Sequence, residues 1–510
     1  MVGIVALRPL ARAPSRALAR GYATSVPARA HHRVLIVGGG TAGVTVAAQL
    51  QRAQEFEKKD IAILDPATTH HYQPGWTLVG SGLRKLGDMQ RPLSSVIPDG
   101  VKHYPLRVST FDPANNALKT SEGVDLSYDY LVVAPGLETN FAGIAGLEQA
   151  LQDPASQVSS IYSDKTVEKV WRDVQAFKKG RAIFTQPAGI IKCAGAPQKI
   201  MWMALSQWKR DGVRGNIDIS FATGAPSMFA VQKYSQALEE LRKQREVEGL
   251  FQHNLIEVDA KNKVAKFKNL SESAKGAVVQ REFDFLHVVP PQKPWDWVAK
   301  SQLGKSSAAT YKNYYHQIPK ESKITLQKAK KLTRFAKPPI ADTAGWVDVD
   351  KSTTQHTKFK NVFSVGDASS LPNSKTAAAI TAQVPVLIDN LLATMQGKQP
   401  AAAYDGYASC PLLTGHNELM LCEFKYGGVP KETFANILGG QETPSALYFH
   451  MKNRFFVSTT VPSPPPPPPI SLPVPPPLNR QADCVACLAL RLLEPFPERH
   501  MVRTARVLQA

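Results

Sequence analysis

The stretch RVLIVGGGTAGVTVAAQL, Arg33 to Leu50, constrains the fold of this chain more than any other. Four β-formers, Val34 to Val37, run into Gly38-x-Gly40-x-x-Gly43 and then into a helical pattern. A second apolar run, Ile61 to Leu64, ends in Asp65, 22 residues after Gly43. A glycine triplet alone is weak evidence. Between a strand and a helix, with an acid at this distance, it specifies a dinucleotide-binding βαβ unit. Gly38 permits the tight turn, Gly40 lets the backbone approach a pyrophosphate, and Gly43 allows close helix–sheet packing. The helix N-terminus stabilises phosphate charge, and Asp65 is placed to accept a ribose hydroxyl.

Further strands are expected over Val101 to Asp112 (VKHYPLRVSTFD) and over LSYDYLVVAPG from Leu126. A second unit opens with the strand-like RAIFTQP, Arg181 to Pro187. Where a phosphate loop would follow, the chain has IKCAGAPQK, Ile191 to Lys199, leading into the helical KIMWMALSQW. Cys193 thus precedes a helix start and is flanked by Lys192 and Lys199. Helix dipole and cations both favour the thiolate, the nucleophilic form. The plainer alternative is a buried inert cysteine, against which Gly195 and Pro197 mark an irregular turn. NIDISFATGAPSMF, from Asn216, reads as a strand with a single turn glycine, and LHVVPP, from Leu286, as the last strand of this unit. Later, NVFSVGD ends a strand at Gly366-Asp367, and an Ala-rich helix is expected to begin near Lys375. Cys410 lies in the loop-like SCPLLTG, whereas Cys422 sits in an apolar strand pattern and is read as structural.

The net charge of +19 would at face value indicate nucleic acid or an anionic membrane. Its distribution argues against nucleic acid. Residues 1–33 hold six Arg and no acid, and residues 300–337 hold ten Lys/Arg against Glu321 alone. The acid-free N-terminus, with Arg8, Arg12, Arg16 and Arg20 at helical spacing, reads as a mitochondrial transit peptide over residues 1–30. Five cysteines in 510 residues are too few for a disulfide scaffold. Cys484 and Cys487 form one CxxC, a weak zinc signal, and no metal is expected. No run of 18 apolar residues occurs. Residues 301–337 read as a basic insertion and 457–510 as a Pro-rich tail, both expected to be disordered.

These pieces resemble the two-domain flavoprotein disulfide reductases. More closely, HHYQPGWTLVGSG (His70 to Gly82), RPLSSVIPDGV, KCAGAPQKIM, AGWVDVD, GDASSLPNSKTAAA and YDGYASCPLLTG are similar to the mitochondrial sulfide:quinone oxidoreductase family. The resemblance implies an α/β fold of two Rossmann-like dinucleotide-binding domains plus a C-terminal segment. The FAD domain is discontinuous (residues 31–145 and 338–400), the second domain covers 146–300 and carries Cys193, and residues 401–456 carry Cys410. It also implies FAD at the first fingerprint, with Gly38, Gly40, Thr41, Ala42 and Gly43 at the pyrophosphate and Asp65 at the ribose. Gln73 and the Val108 backbone fall on the adenosine side, Asp367 on the ribityl chain, and Lys375 and Ala377 at the flavin pyrimidine edge. Cys193 and Cys410 would be the redox pair.

By the same resemblance hydrogen sulfide attacks their disulfide, leaving a persulfide on Cys410. Electrons pass to FAD and ubiquinone, and the sulfane sulfur passes to an acceptor such as glutathione or sulfite. The setting implied is the matrix side of the mitochondrial inner membrane, bound peripherally, with the membrane contact weakened by the divergent tail. Two alternatives stay open on the sequence: a type II NADH:quinone oxidoreductase, which needs a second glycine fingerprint, and a sulfur-binding redox sensor without quinone turnover.

Overall fold

A computed structural model describes residues 29–53, 55–274, 276–305 and 345–456. The expected transit peptide up to residue 28, the Pro-rich tail with its CxxC, and most of the basic insertion lie outside the described residues.

The glycine-rich stretch folds as strand Arg29–Val37 and helix Thr41–Arg52. The strand pairs in parallel with Ile61–Leu64 on one side and Asp125–Val133 on the other. Lys102–Tyr104 extends this layer beyond Ile61–Leu64, and Val362–Ser364 pairs with the far end of Asp125–Val133. Strands covered on both faces read as continuous apolar runs, and Val34, Leu35, Ile36 and all of Ile61 to Leu64 are buried. Helix Ala377–Met395 covers one face, with Val384, Leu387 and Leu391 in a cluster with Val46, Ala47 and Leu50. That helix is long and apolar enough to cross a membrane, but here its apolar side is spent on this core.

The expected single strand over 101–112 is broken at Pro105, which cannot donate to a ladder. Lys102–Tyr104 stays in the parallel layer, while Val108–Asp112 joins the antiparallel meander with Ala117–Thr120. The first strand already pairs Arg29 and Ala30 with Asp125 and Leu126, so the folded unit begins ahead of the expected boundary at residue 31.

The second unit is a five-stranded parallel sheet in the order Val158–Ser159, Phe285–His287, Gly180–Gln186, Ile217–Thr223, Val247–Phe251. Helix Ala196–Arg210 packs on it, burying Trp202 and Trp208 completely. This unit closes earlier than residue 300. Trp295, Val298 and Leu303 pack into the core of the first unit, and Trp295 Nε1 donates to Pro135 O at 3.1 Å.

The insertion also begins later than residue 301. Leu303 is fully buried and its carbonyl oxygen is bonded to the ring of His356. Lys305 N donates to Trp346 O at 2.8 Å, and Gly345 N to Lys305 O at 3.0 Å. Lys305 and Gly345 are thus held side by side by two backbone hydrogen bonds.

The C-terminal segment is a hairpin, Ala408–Gly415 with Glu418–Lys425, laid against helix Ala196–Arg210. The loop expected around Cys410 is a buried strand in this hairpin. Pro411 is tolerated because the N–H of its partner Leu421 points away from the pairing, to Gln441 O. Proline there removes no ladder bond.

Candidate active site

The N-terminus of helix Thr41–Arg52 is left open. Gly38 takes φ +109°, and a Cβ there would meet Ala134 O at 2.4 Å. A Cβ on Gly43 would lie 1.8 Å from Gly38 O, so only glycine permits this approach of helix and loop. Gly40, by contrast, has nothing within 4 Å of its Cβ position, and the first turn, with Thr41 and Ala42, holds no acid. Beside it, Asp65 Oδ2 accepts Gly39 N at 2.6 Å, and His70 Nδ1 bonds Gly39 O at 3.2 Å. Val108 begins its strand just past Tyr104, whose carbonyl accepts Asp65 N.

The second half of the same unit converges here. A Cβ on Gly366 would meet Ala42 Cβ at 3.2 Å, which places the Gly366-Asp367 turn against the glycine loop. Thr376, not Lys375, caps the following helix, accepting Ala379 N at 3.1 Å, and Ala377 is its first residue. Lys375 is buried over the Trp346 ring at 4.5 Å and donates to Ser369 O at 2.8 Å. Burial lowers its pKa to about 8, opposed by the Asp367 charge. Desolvation in turn raises the Asp367 carboxyl, opposed by Lys375 and Lys192.

Cys193 meets this groove from the second unit. Its N–H donates to Lys375 O at 2.7 Å, and it accepts Ala196 N at the helix entry at 2.7 Å. Its φ of +51° is a left-handed conformation that a non-glycine residue holds at about 1–3 kcal/mol. The turn delivers its sulfur to 3.5 Å from Cys410 Sγ, across 217 residues of sequence. Both are free thiols, Cys410 buried and Cys193 partly so. Gly195 makes room for this meeting, since a Cβ there would lie 2.5 Å from Cys410 Sγ.

Lys199 Nζ donates to Cys193 Sγ at 3.2 Å. The hydrogen bond from Cys410 and then the Lys199 charge hold Cys193 well below an ordinary thiol pKa, against the opposing effect of burial. Cys410 moves the opposite way, through the same bond and burial. Both shifts favour the anion on Cys193, the sulfur that Lys199 contacts at 3.2 Å. Burial disfavours the Lys199 ammonium, but the two sulfurs outweigh this and raise its pKa.

Two lysines depart from expectation. Lys192 does not serve the thiolate. Its Nζ turns away to Gln73 Oε1 at 2.6 Å and lies over the rings of Trp76 and Tyr162. The same contact holds Gln73 beside Lys192, close to the rings of Trp76 and Tyr162. The second cation near the sulfurs is Lys452, from the helical turn Met451–Phe456. It is buried, and burial followed by repulsion from Lys199 lowers its pKa to about 7, against the attraction of Cys193 and Cys410. No local pattern marks Lys452, which reaches the site only through the folding of the C-terminal segment. Cys422 lies directly across the hairpin from Cys410 and is fully buried, which raises its pKa.

The strand–glycine loop–helix unit, and a dithiol formed between Cys193 of the second Rossmann-like unit and Cys410 of the C-terminal hairpin, define a flavoprotein disulfide oxidoreductase, whose cofactor is FAD. The family described as pyridine nucleotide-disulphide oxidoreductase matches residues 32–180. A mitochondrial sulfide:quinone oxidoreductase of Schizosaccharomyces pombe is 43% identical over 447 residues, covering 84% of this chain and 89% of that protein. Its namesake in Mus musculus is 39% identical, covering 80% and 81%. The chain belongs to the mitochondrial sulfide:quinone oxidoreductase family. The solved sulfide:quinone oxidoreductase of Aquifex aeolicus has the same fold, with TM-score 0.62 at 17% identity, covering 84% of this chain and 91% of that one.

The groove fits the cofactor. An open glycine position at a helix N-terminus suits a pyrophosphate. Buried donors near Lys375 and Lys192, Trp346 Nε1 and Gln292 Nε2, have no partner among the described residues.

Proposed function

We propose that this chain oxidises sulfide at the Cys193–Cys410 pair and passes two electrons through FAD to a quinone, in the mitochondrion. The observation that carries this reading is the 3.5 Å approach of two sulfurs, one held as thiolate by Lys199 and tied through its own N–H to Lys375 O in the cofactor groove. Bound FAD supplies a two-electron acceptor that a quinone can reoxidise. Gly38, Gly40, Thr41, Ala42 and Gly43 would hold its pyrophosphate, and Asp65 with the Val108 backbone the adenosine side. Asp367 would meet the ribityl chain, with Lys375 and Ala377 at the pyrimidine edge.

In the oxidised enzyme, hydrosulfide attacks the disulfide at Cys410. The S–S bond breaks, the new sulfur stays on Cys410 as a persulfide, and Cys193 leaves as thiolate. The leaving group with the lower pKa departs faster, which favours this direction because Lys199 stabilises Cys193. An acceptor then removes the sulfane sulfur, leaving Cys193 and Cys410 reduced, and these two sulfurs would reform the disulfide by giving up an electron pair to bound FAD. The Lys199 ammonium, with Lys452 adding charge when protonated, favours anionic nucleophiles at the sulfurs: hydrosulfide first, then sulfite or glutathione thiolate.

The NADH reading is disfavoured because residues 187–195, the strand-to-helix turn where a nucleotide's glycine loop would lie, carry Cys193 toward Cys410. Reaching a membrane quinone requires contact with lipid. Exposed Ile437, Leu438 and Leu447, on two adjoining short helices of the C-terminal segment, supply an apolar surface for peripheral docking on the matrix face of the inner membrane.

The test is direct. Purified holoprotein receives sulfide, sulfite or glutathione, and a short-chain quinone, and the quinone absorbance is followed. Flavin bleaching by sulfide without quinone turnover would leave a sensor and overturn the enzyme reading.

A further inference from the structure

Lys192 carries a charge that the sulfur chemistry leaves unused. Its Nζ has one protein acceptor among the described residues, Gln73 Oε1 at 2.6 Å. Its other close neighbours are ring faces, Trp76 at 5.3 Å and Tyr162 at 5.7 Å. No carboxylate lies within ion-pair distance of it among the described residues, and Asp367 acts on it only through space. An ammonium has three donors, so this one is incompletely solvated by protein. Burial lowers its pKa to about 8, which leaves it charged at neutral pH.

Its position is imposed by the backbone. Lys192 N donates to Gln292 Oε1 at 2.7 Å, and Lys192 pairs in parallel with Lys375, with Cys193 N bonded to Lys375 O. Two lysines therefore enter the same groove side by side, one from each Rossmann-like unit. Lys375 is tied to Ser369 O and a ring face. Lys192 spans to Gln73 of the first unit. Positive charge gathered from neutral partners is complementary to an anion, and a two-electron-reduced flavin is an anion near neutral pH.

We propose that Lys192 is a positioning charge for the cofactor, favouring the reduced anionic flavin over the oxidised neutral one and so raising the flavin reduction potential. The proposal rests on the FAD reading above. It gives Lys192 a task distinct from that of Lys199, which acts on the thiolate. The competing explanation is mechanical, with Lys192 acting only as a strut between the two units through Gln73.

The experiment compares wild type, Lys192→Met and Lys192→Arg as holoproteins. Flavin content is measured first, then the flavin potential against a reference dye, read at the flavin absorbance. Loss of the charge should shift the flavin–dye equilibrium at least about tenfold toward oxidised flavin, about 30 mV for a two-electron couple. Lys192→Arg should restore most of it. The alkylation rate of Cys193 should be unchanged in both, because Lys192 does not touch its sulfur. Stoichiometric flavin with an unshifted potential in Lys192→Met overturns the proposal, as does an equal shift in Lys192→Arg. If Lys192→Met binds no flavin, Lys192→Gln, which keeps a donor for Gln73, is measured instead. Flavin lost there too, with Lys192→Arg loaded, would make Lys192 a binding residue and overturn the potential role. Absence of flavin from the wild type would instead remove the FAD reading itself.

Discussion

The two Rossmann-like units use the same architecture to opposite ends. In the first, a tight turn of three glycines joins Arg29–Val37 to Thr41–Arg52, and the helix N-terminus faces empty space at Gly40. In the second, residues 187–195 join Gly180–Gln186 to Ala196–Arg210, and the space before the helix is filled by the sulfurs of Cys193 and Cys410 and by Lys199. Both turns need a positive φ, at Gly38 and at Cys193. The first meets it with a residue that has no side chain to obstruct a phosphate. The second keeps a side chain there, and with it the strain, which fits the proposal that this side chain is the reagent. A helix N-terminus stabilises any nearby anion; what fills the turn decides whether the anion is a ligand phosphate or the protein's own thiolate.

The comparison breaks most completely at Cys193. Cys193→Ser, or Cys410→Ser, should lower sulfide-dependent quinone reduction by about four to six orders of magnitude, the scale of removing one member of a catalytic unit. Flavin content should stay at wild-type level. Near wild-type turnover in either variant would take the dithiol out of the reaction.

At the first turn, Gly43→Ala forces a Cβ to within 1.8 Å of Gly38 O. Backbone must shift, at about 3 kcal/mol or more, and the pyrophosphate cradle opens with it. Flavin occupancy and thermal stability should both fall. Retained stoichiometric flavin would mean that this approach is looser than it looks.

Lys199→Met sharpens the contrast by leaving both turns in place and removing one charge. The Cys193 pKa should rise toward that of a free thiol, so its alkylation at pH 6–7 should slow by about tenfold or more while the rate above pH 9 changes little. A pH profile superimposable on wild type would assign the thiolate to Cys410 or to the helix alone.

His287 tests the second sheet independently of the sulfurs. It is fully buried, and desolvation lowers its pKa to about 3. A histidine neutral in the fold but titrating near 6.5 when unfolded contributes stability that is complete above pH 6.5 and lost as pH falls from there toward 3. His287→Phe should flatten acid destabilisation across that window, followed by urea midpoints at stepped pH. An unchanged slope would place the acid sensitivity elsewhere.

The smallest effect is expected at the stem of the insertion. Lys305 N bonds Trp346 O and Gly345 N bonds Lys305 O, so a short glycine-rich linker in place of residues 306–344 has two adjacent ends to join. The variant should keep its flavin and shift in melting temperature by only a few degrees. Insolubility of that variant alone would make the segment integral.

Much of the site was legible in local pattern, because local pattern was its cause. The Gly38 to Gly43 spacing and Asp65 read directly as a cradle, and Cys193 stood out as a cysteine where glycine was due. Cys410 was misread as a loop residue because Pro411 and Gly415 are usually punctuation; here the ladder asks nothing of the proline nitrogen. Lys192 was misassigned because adjacency in sequence carries no direction. On either side of a left-handed residue, neighbouring side chains diverge, and Lys192 went to Gln73 while Lys199, one helical turn into Ala196–Arg210, came back to the sulfur.

By itself, then, the sequence determined the two βαβ-type units, the open cradle and a cysteine at the entry of the second unit's helix, since these follow from residue spacing, backbone permissiveness and helix ends acting over a few residues. Tertiary structure alone decided which second cysteine completes the pair, that Lys452 stands beside it, and that Lys192 enters the cofactor groove. Those contacts join segments up to 259 residues apart, from Cys193 to Lys452. They exist because the hairpin at Ala408–Gly415 packs on helix Ala196–Arg210, and the apolar burial that drives such packing is set by whole faces, which no stretch of local sequence records.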